Sequence, residues 1–329
     1  MSMVKFLIRR ALQGVFVVWG VVTIMFGLRA VSPGDPATLM LGEGATEETI
    51  RQVREQEGLD EPIVVQYFDY VQGLMMGDFG YSWRSDREVE AMVIERIPAT
   101  IELAVAATVI AILIAIPLGV VSATRRDDPA DYGATLFSLL GISTPNFWLG
   151  LMLILLLGVW AGVLPTGRRA VGFGEAVTTL ARTGSTGDLT TWLRHIMLPA
   201  ITLGTYFTAL ITRLTRSGMV DELGKPYVTA TRAKGLPEVL VRYKHVLRNT
   251  MIPIVTVLGL QLGTLLGGAV ITETVFNWPG LGLRLIDALD ARDWPLMQGI
   301  IVFIAIGFVT INVLVDGVYN YLDPQVSAE

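Results

Sequence analysis

The sequence predicts an all-α integral membrane protein with six transmembrane helices. Of its 329 residues, 52% are hydrophobic and 17% are charged, whereas soluble domains have roughly 45–50% apolar residues. Six uncharged stretches follow one another, and most reach the roughly 18 residues that a membrane-spanning helix requires. They cover residues 11–28, 103–124, 132–167, 196–212, 249–272 and 294–315.

The distribution of lysine and arginine predicts the orientation of these helices. If the N-terminus is inside, the inner segments are 1–10, 123–132, 213–250 and 320–329, and the outer ones are 29–98, 161–195 and 277–293. Basic residues are about twice as dense in the inner set, as the positive-inside rule requires. We therefore expect a multi-pass protein of the plasma or inner membrane with both termini in the cytoplasm.

This topology divides the chain into four parts. Residues 1–28 form the first transmembrane helix, 29–98 an extracytoplasmic segment, 99–320 a five-helix core with a cytoplasmic loop at 213–250, and 321–329 a cytoplasmic tail. A cleaved signal peptide is the alternative for residues 1–28, but the apolar run is long for one and no A-x-A site follows it.

The outer segments differ in their patterns. Segment 29–98 is too long for a turn and contains the helical text TEETIRQVREQEGL, for which Thr46 is a good N-cap, so we expect it to fold as a small outer cap. Segment 161–195 is rich in glycine and threonine and is predicted to be a loop.

Prolines and glycines mark special points within the predicted spans. Pro117 and the STPNFW run at 143–148 predict kinks, because proline removes a backbone donor and clashes with the preceding turn. Gly259, Gly263 and Gly267 recur every four residues and predict a face on which another helix packs closely. The competing explanation is that glycine is simply frequent in membrane helices.

The sequence lacks the groups of catalytic or metal-binding residues that enzymes need. Its two histidines, His195 and His245, fall on opposite sides of the predicted membrane, and there is no cysteine, so neither a histidine triad nor a thiolate metal site can form. The stretch GMVDELGKP ends like a P-loop, but its glycine spacing is one residue too long and Pro226 stands where Ser or Thr would hold magnesium. Nucleotide hydrolysis must therefore occur on another polypeptide.

Ionisable residues lie near the ends of the predicted spans. Glu102 and Glu273 fall near outer ends, and Arg213, Arg216 and Asp316 fall near inner ends. Charges inside a bilayer are costly and are often functional. At helix ends the cost is smaller, so anchoring or interhelical pairing competes with a role in lining a pathway.

The most basic part of the chain, residues 227–253, reads as two short helices. The first covers about 227–234, carries small residues and stops at Gly235, a natural residue to follow a helix. The second places Val239, Tyr243, Val246 and Leu247 on one face, and Glu238, Arg242, His245 and Arg248 on the other. A basic loop that only sets the topology is the alternative interpretation.

This stretch resembles the "EAA" cytoplasmic loop of ABC-importer permeases. In that resemblance Gly235 is the characteristic glycine, and the helix before it is the coupling helix that docks into an ATPase subunit. The text YVTATRAKGL is similar to the dipeptide/oligopeptide branch. The residues implied to contact the ATPase are Tyr227, Thr229, Ala230, Thr231, Arg232, Ala233, Lys234, Gly235 and Leu236.

Further motifs carry the resemblance along nearly the whole chain. In order they are GDFGYS, RIPATIELA, GISTPNFWLG, LPTG, LPAITLG, RLTRSGMVDEL, ETVFNWPGLG, RDWPLMQG and VDGVYNYLDP. One departure is Thr229, where the general pattern has a glutamate six residues before the glycine. The peptide branch tolerates it, but it leaves open which ATPase side chains meet this helix.

The resemblance implies the type I importer fold and a set of partners. These are a related second permease, two ATPase subunits that hold ATP and magnesium, and an extracytoplasmic binding protein; this chain itself would carry no cofactor and bind no nucleic acid. Peptides are the implied substrate, with sugars or metal chelates as alternatives. A secondary transporter or a membrane enzyme would need an ion site or a catalytic cluster, and the sequence indicates neither.

The translocation path is expected along the third and fifth helices. The candidate residues are Asn146, Phe147, Trp148, Gln261, Glu273, Asn277 and Trp278. Asn146 and Trp148 could equally pack at a kink, and the NWPGLG run could equally form a structural turn.

Overall fold

The computed structural model describes the backbone of residues 3–42 and 44–322. It describes their side chains except at 3–7, 252, 256, 260–262, 264–268 and 318–322. In this part of the chain the regular structure is helical, with one isolated antiparallel β-bridge between Tyr81 and Glu88.

The helices follow one another in this order: α1 Met3–Val31, α2 Pro36–Leu41, α3 Glu47–Gln56, α4 Ile63–Met76, α5 Val89–Ile94, α6 Ile97–Thr124, α7 Pro129–Ser143, α8 Asn146–Leu153, α9 Phe173–Thr183, α10 Gly187–Leu223, α11 Pro226–Ala233, α12 Glu238–Leu240, α13 Leu247–Val275, α14 Leu281–Asp290 and α15 Trp294–Leu322. Two π-helical stretches continue α8 and α12, at Ile154–Trp160 and Val241–Val246.

Several of these helices are long and apolar enough to cross a membrane. Among the described residues four qualify singly: Ile8–Val31, Val89–Thr124, Gly187–Leu223 and Trp294–Gly317. The pair Pro129–Ser143 and Asn146–Trp160 forms a fifth if it counts as one span. The prediction of a helical membrane protein is confirmed. The number six stays a prediction, since the remaining candidate lies in α13, where many side chains are outside the described residues.

The third predicted span is broken rather than kinked. Its halves, α7 and α8 with its π-helical continuation, meet at an angle of 108°. Thr144 has extended backbone angles, φ −83° and ψ 125°, because a residue before proline is driven out of the helical region. Pro145 then begins the second half, so STPNFW is a sharp corner.

Helix α6 continues through Pro117, and the kink predicted there stays a prediction. One other expectation about irregular structure needs correction. Segment 161–195, predicted to be a loop, contains α9 and the first turns of α10, with Gly184 at φ +70° ending α9. The glycine and threonine content on which the loop prediction rested does not exclude the short helix FGEAVTTLART.

The centre of the protein is the contact between α6 and α10. Small residues at every fourth position of α6 face α10, and they are Ala107, Ala111, Ala115 and Gly119, with all three alanines fully buried. A β-carbon at Gly204 would lie 2.8 Å from the Ala107 carbonyl oxygen. The two backbones therefore approach as closely as small residues permit.

Helix α13 approaches α15 in a similar way. A β-carbon at Gly259 would overlap the Val315 side chain, and one at Gly263 would lie 2.8 Å from the Phe308 ring. Gly267 belongs to the residues whose surroundings are not described. The two described glycines lie where the spacing placed a close-packing face.

Segment 29–98 is folded and fixed to the spans. Thr46 accepts a hydrogen bond from the Thr49 backbone N–H at 3.3 Å and caps α3, as predicted. The side chains of Val89 and Val93 on α5 are buried against Leu296 and Ile300 of α15. The segment therefore has a defined position on the ends of the long helices.

Candidate coupling site

Helix α11 is a short helix between two turns. Pro226 occupies its first position, where a missing N–H costs nothing. Past its C-terminal end Gly235 has φ +76°, a left-handed conformation that glycine adopts without strain. The Gly235 N–H donates to the Arg232 carbonyl at 2.9 Å. The predicted helix at 227–234 and its stop at Gly235 are confirmed to within a residue.

One side of α11 is anchored to the ends of the neighbouring helices. Val228 is fully buried in a cluster with Val120 of α6, Met219 of α10, and Val241 and Val246. The last two belong to what we call the second arm, residues 238–246, which comprises α12 and its π-helical continuation. The burial of Val228 packs α11 against the ends of the helices that flank it.

A polar contact adds to this anchor. The Tyr227 hydroxyl donates to Glu222 at 2.7 Å, and the Asn249 side-chain amide donates to the Tyr227 oxygen at 3.2 Å. Tyr227 therefore joins the end of α10 to the start of α13.

The other side of α11 is exposed and consists of small and basic residues. They are Thr229, Ala230, Arg232, Ala233 and Lys234, followed by exposed Gly235; Thr231 and Leu236 are partly buried. Small side chains allow another protein to approach the backbone closely. We call this set from Thr229 to Gly235 the α11 face.

An ion-pair cluster joins α11 to the second arm. Glu238 accepts two hydrogen bonds from Arg232, at 2.8 and 3.2 Å, and one from Arg242 at 3.0 Å. Arg232 first and Arg242 second hold the pKa of Glu238 below its ordinary value. All three groups are partly exposed, so this cluster orients the arms and adds little stability.

The second arm differs from its predicted pattern. Val239 and Tyr243, expected on one apolar face with Val246, are exposed, and Val241 is buried beside Val246. The π-helical turn explains this change, because its wider winding brings residues five apart to the same side. The arm then continues directly into α13 instead of ending as a separate helix.

Charged residues near the predicted inner ends of the spans form pairs. Arg216 of α10 makes a two-point contact with Asp131 of α7 at 2.6 and 2.7 Å, and Ser122 of α6 donates to Asp131 at 2.5 Å. Arg10 and Asp316 pair at 2.9 Å between α1 and α15. Arg216 and Asp316 therefore form ion pairs between helices. Arg213, the third charged residue predicted near these ends, is exposed.

A second polar cluster, at the opposite ends of the spans, is centred on Glu102 of α6. Arg169 contacts it at 2.6 and 2.9 Å, and the Phe173 backbone N–H donates to it at 2.9 Å. The Trp192 indole N–H lies 3.4 Å from the same carboxylate. Glu102 thus holds α9 and α10 against the N-terminal part of α6.

Glu273, a candidate for the path, lies in the interior of this chain. Its carboxylate is fully buried and accepts hydrogen bonds from the Thr100 hydroxyl at 2.7 Å and from the backbone N–H groups of Gly282 and Leu283 at 2.7 and 3.0 Å. It therefore caps the start of α14 and ties it to α6. We call Glu273, Thr100 and the first turn of α14 the α14 latch.

Trp278 is enclosed beside this latch. It is fully buried, and its indole N–H donates to the Ala99 carbonyl at 2.8 Å. The Leu281 N–H donates to the Thr100 hydroxyl at 2.8 Å. The NWPGLG run is accordingly a turn that joins α13 to α14 and holds both on α6.

The other path candidates lie around one corner. Phe147 and Trp148, in the first turn of α8, are each 49% exposed, Asn146 is partly buried and Asn277 is exposed. The Arg168 N–H donates to the Phe276 carbonyl at 2.8 Å, which places the 276–278 turn against the segment after α8. The Gln261 side chain lies outside the described residues.

Comparison with known proteins assigns the family. The model for "Binding-protein-dependent transport system inner membrane component" matches residues 115–328, and the model for the N-terminal part of such membrane components matches 3–104. The chain belongs to this family.

Full-length relatives agree. The dipeptide transport system permease protein of Escherichia coli is 40% identical over 335 residues, covering 98% of this chain and 99% of the relative. The oligopeptide transport system permease protein of Bacillus subtilis is 37% identical over 325 residues, and the glutathione transport system permease protein of Salmonella choleraesuis is 36% identical over 324, each at 98% and 99% coverage. The resemblance to ABC-importer permeases of the peptide branch is confirmed.

Within this permease the described side chains form no group of three or more His, Asp or Glu that could hold a metal ion. Sequence reasoning also missed Asp131 and Thr100, which organise the inner and outer polar contacts. Their signal is weak, because each is a single polar residue whose partners lie on other helices.

Proposed function

We propose that this chain is one membrane subunit of an ATP-driven peptide importer. A second permease completes the path, two ATPases bind on the cytoplasmic side and an extracytoplasmic protein delivers the substrate. The chain itself has no ATPase site. Residues 29–98 lie outside, and both termini lie in the cytoplasm.

The observation that carries this proposal is the α11 face. Its small, exposed residues are presented by a helix whose opposite side is buried among the ends of α6, α10 and α13. ATP can shift a permease between two conformations only through contacts that differ between them. A docked ATPase would act on α11, and α11 would carry the movement to those three helices.

Peptides are favoured as the substrate by the names of the relatives. Those relatives are named for dipeptide, oligopeptide and glutathione transport, which favours peptides over sugars or metal chelates. Family membership likewise favours an importer subunit over a secondary transporter.

The path is proposed to run past the corner between α7 and α8. Asn146, Phe147, Trp148 and Asn277 are its nearest described candidates, with Gln261 further along α13. Glu273 and Trp278 would support the wall from behind, because their polar atoms are occupied by contacts within this chain.

A purification under mild detergent tests the proposal. The tagged chain is isolated from its native membrane, and every co-purifying protein and bound small molecule is identified by mass spectrometry. We expect two ATPase subunits, a second permease and a binding protein loaded with peptide. A chain that purifies alone and whose transport persists without ATP would contradict the proposal.

Enlarging one residue of the α11 face is expected to release the ATPase. In Ala230→Trp a bulky side chain replaces an exposed methyl group, which blocks close docking without disturbing the buried Val228 side. We expect co-purification of the ATPases to fall at least about tenfold, since overpacked contacts cost roughly 1–3 kcal/mol.

Ala181→Trp is the matched control, because Ala181 is also exposed and helical but lies on α9. Both variants should reach the membrane in equal amounts. Equal ATPase recovery from the two would show that the α11 face is not the docking surface.

A further inference from the structure

Segment 29–98 and the start of α15 line a half-open cavity that the proposed path does not use. Its volume is about 720 Å³, and it lies between α1, α4, the 78–83 loop and the start of α15. This size is typical of sites for small organic ligands, which occupy roughly 300–1,000 Å³. The lining includes Arg29, Tyr70, Trp83 and Gln298.

The walls of this cavity are fixed by hydrogen bonds between distant parts of the chain. Ser82 and the Trp83 N–H both donate to Asp293, at 2.5 and 3.1 Å. Gln298 donates to the Met25 carbonyl at 3.2 Å. The 78–83 loop and α1 are thereby both tied to α15, so the cavity is built by the fold.

Arg29 supplies a cation that makes no direct ion pair with the described residues, although the Glu57 carboxylate acts on it from a longer distance. Its guanidinium lies 5.9 Å from the Phe26 ring centre and 6.0 Å from that of Trp83. Among the side chains that the structure describes, no carboxylate oxygen lies within ion-pair distance of it. A half-buried arginine held between two aromatic rings keeps its fork of donors available for an incoming anion.

Tyr70 stands beside Arg29. Its hydroxyl is buried and has no hydrogen-bond partner among the described residues. Burial raises the pKa of Tyr70 to about 12, so the hydroxyl keeps its proton at neutral pH. Buried polar groups normally find partners, and an orphan hydroxyl next to a cation without a direct ion pair is consistent with a missing ligand.

Opposite charge lines the same cavity. Glu57, Asp69, Asp78 and Asp86 are exposed residues of its lining. Asp78 accepts the Gly80 N–H at 2.9 Å, and all four retain carboxylate oxygens that can accept from an ammonium group. The cavity thus presents one cation and several anions to a molecule of a few residues' size.

We propose that this cavity binds a short peptide as a zwitterion, with its C-terminal carboxylate on Arg29 and its ammonium group on the acidic lining. The choice of a peptide, rather than another zwitterion, rests on the proposed function. The site would hold substrate on segment 29–98, separate from the path past the α7–α8 corner.

Cysteine protection tests this site directly, because the natural chain contains no cysteine. Tyr81 lines the cavity and is exposed, so Tyr81→Cys in the assembled complex reports on its occupancy. The maleimide labelling rate of this chain is measured with increasing alanyl-alanine and with alanyl-alanine amide, which lacks the carboxylate. We expect the dipeptide to slow labelling and the amide to do so only at roughly tenfold or higher concentration.

Two arginine variants locate the carboxylate. Arg29→Met keeps the apolar stem and should raise the protecting concentration of alanyl-alanine by roughly tenfold or more. Arg51→Met is the control, since Arg51 is exposed on α3 and outside the cavity lining, and it should change nothing.

The outcomes separate this site from the proposed function. Peptide uptake by the same complex with its binding protein is measured in parallel. Normal peptide uptake without protection of position 81 would overturn the proposed site and leave the proposed importer function intact. Equal protection in Arg29→Met and in the parent would do the same. Arg29→Met could also leave protection by alanyl-alanine unchanged and weaken docking of the binding protein. That result would overturn the proposed site, because Arg29 would then bind a carboxylate of the binding protein. Protection that depends on Arg29 in a complex without peptide uptake would support the site alone.

Discussion

Gly235→Pro is expected to abolish peptide uptake and substrate-stimulated ATP hydrolysis while the protein still reaches the membrane. Gly235 has φ +76°, whereas proline is fixed near −65°. Proline would also remove the N–H that donates to the Arg232 carbonyl at 2.9 Å. The turn after α11 must then reorganise, and the α11 face loses its position relative to α6, α10 and α13.

Gly235→Asn is the control for this effect, because asparagine tolerates the left-handed conformation better than other residues. It should retain most of the coupling. Both variants are measured in proteoliposomes with the complete complex, by peptide uptake and by ATP hydrolysis with and without loaded binding protein. Normal coupling in Gly235→Pro would count strongly against α11 as the coupling element.

Glu273→Ala is expected to have the largest effect on stability. It would leave the Thr100 hydroxyl and the N–H groups of Gly282 and Leu283 buried without their acceptor, and it would open a cavity beside Trp278. Each buried donor that is left without its acceptor costs about 1–3 kcal/mol. We therefore expect a markedly lower thermal unfolding temperature in detergent and reduced amounts in the membrane.

Two comparisons make this result specific. Glu273→Gln keeps one acceptor oxygen and should fall between the parent and Glu273→Ala. Glu175→Ala removes an exposed carboxylate on α9 and should leave the unfolding temperature unchanged. If Glu273→Ala were as stable as the parent, the α14 latch would not hold α13, α14 and α6 together.

The sequence predicted those features that depend on neighbouring residues. The length of α11, its stop at Gly235 and the cap of α3 by Thr46 follow from local backbone preferences and hydrogen bonds. The helical membrane class follows from hydropathy alone. Each of these signals lies within one turn or one span, so a single sequence suffices to read it.

Features set by tertiary packing were not predictable in the same way. Pro145 indicated a bend, but the angle of 108° depends on how α7 and α8 pack against α10 and α13. The π-helical turn that buries Val241 in place of Val239 has no clear local signature. Small residues stand at every fourth position of α6 in the sequence, yet their partner α10 lies about a hundred residues away.

The candidate path shows the same limit. Glu273 and Trp278 were predicted to line it because a charge and an indole in an apolar region often mark function. Their burial and their bonds to Thr100 and Ala99 come from contacts between residues more than 170 positions apart. Sequence alone identifies such residues as special but does not say whether they face a substrate or another helix.

Site-specific crosslinking from α11 tests the central claim most directly. A photoreactive amino acid is placed at position 230 or 233 of the α11 face, or at position 181 as a control, in the complete complex. The account predicts that an ATPase subunit is captured from 230 and 233 and not from 181. A complex that contains its ATPases and imports peptide, yet yields no ATPase crosslink from either position of α11, would contradict it.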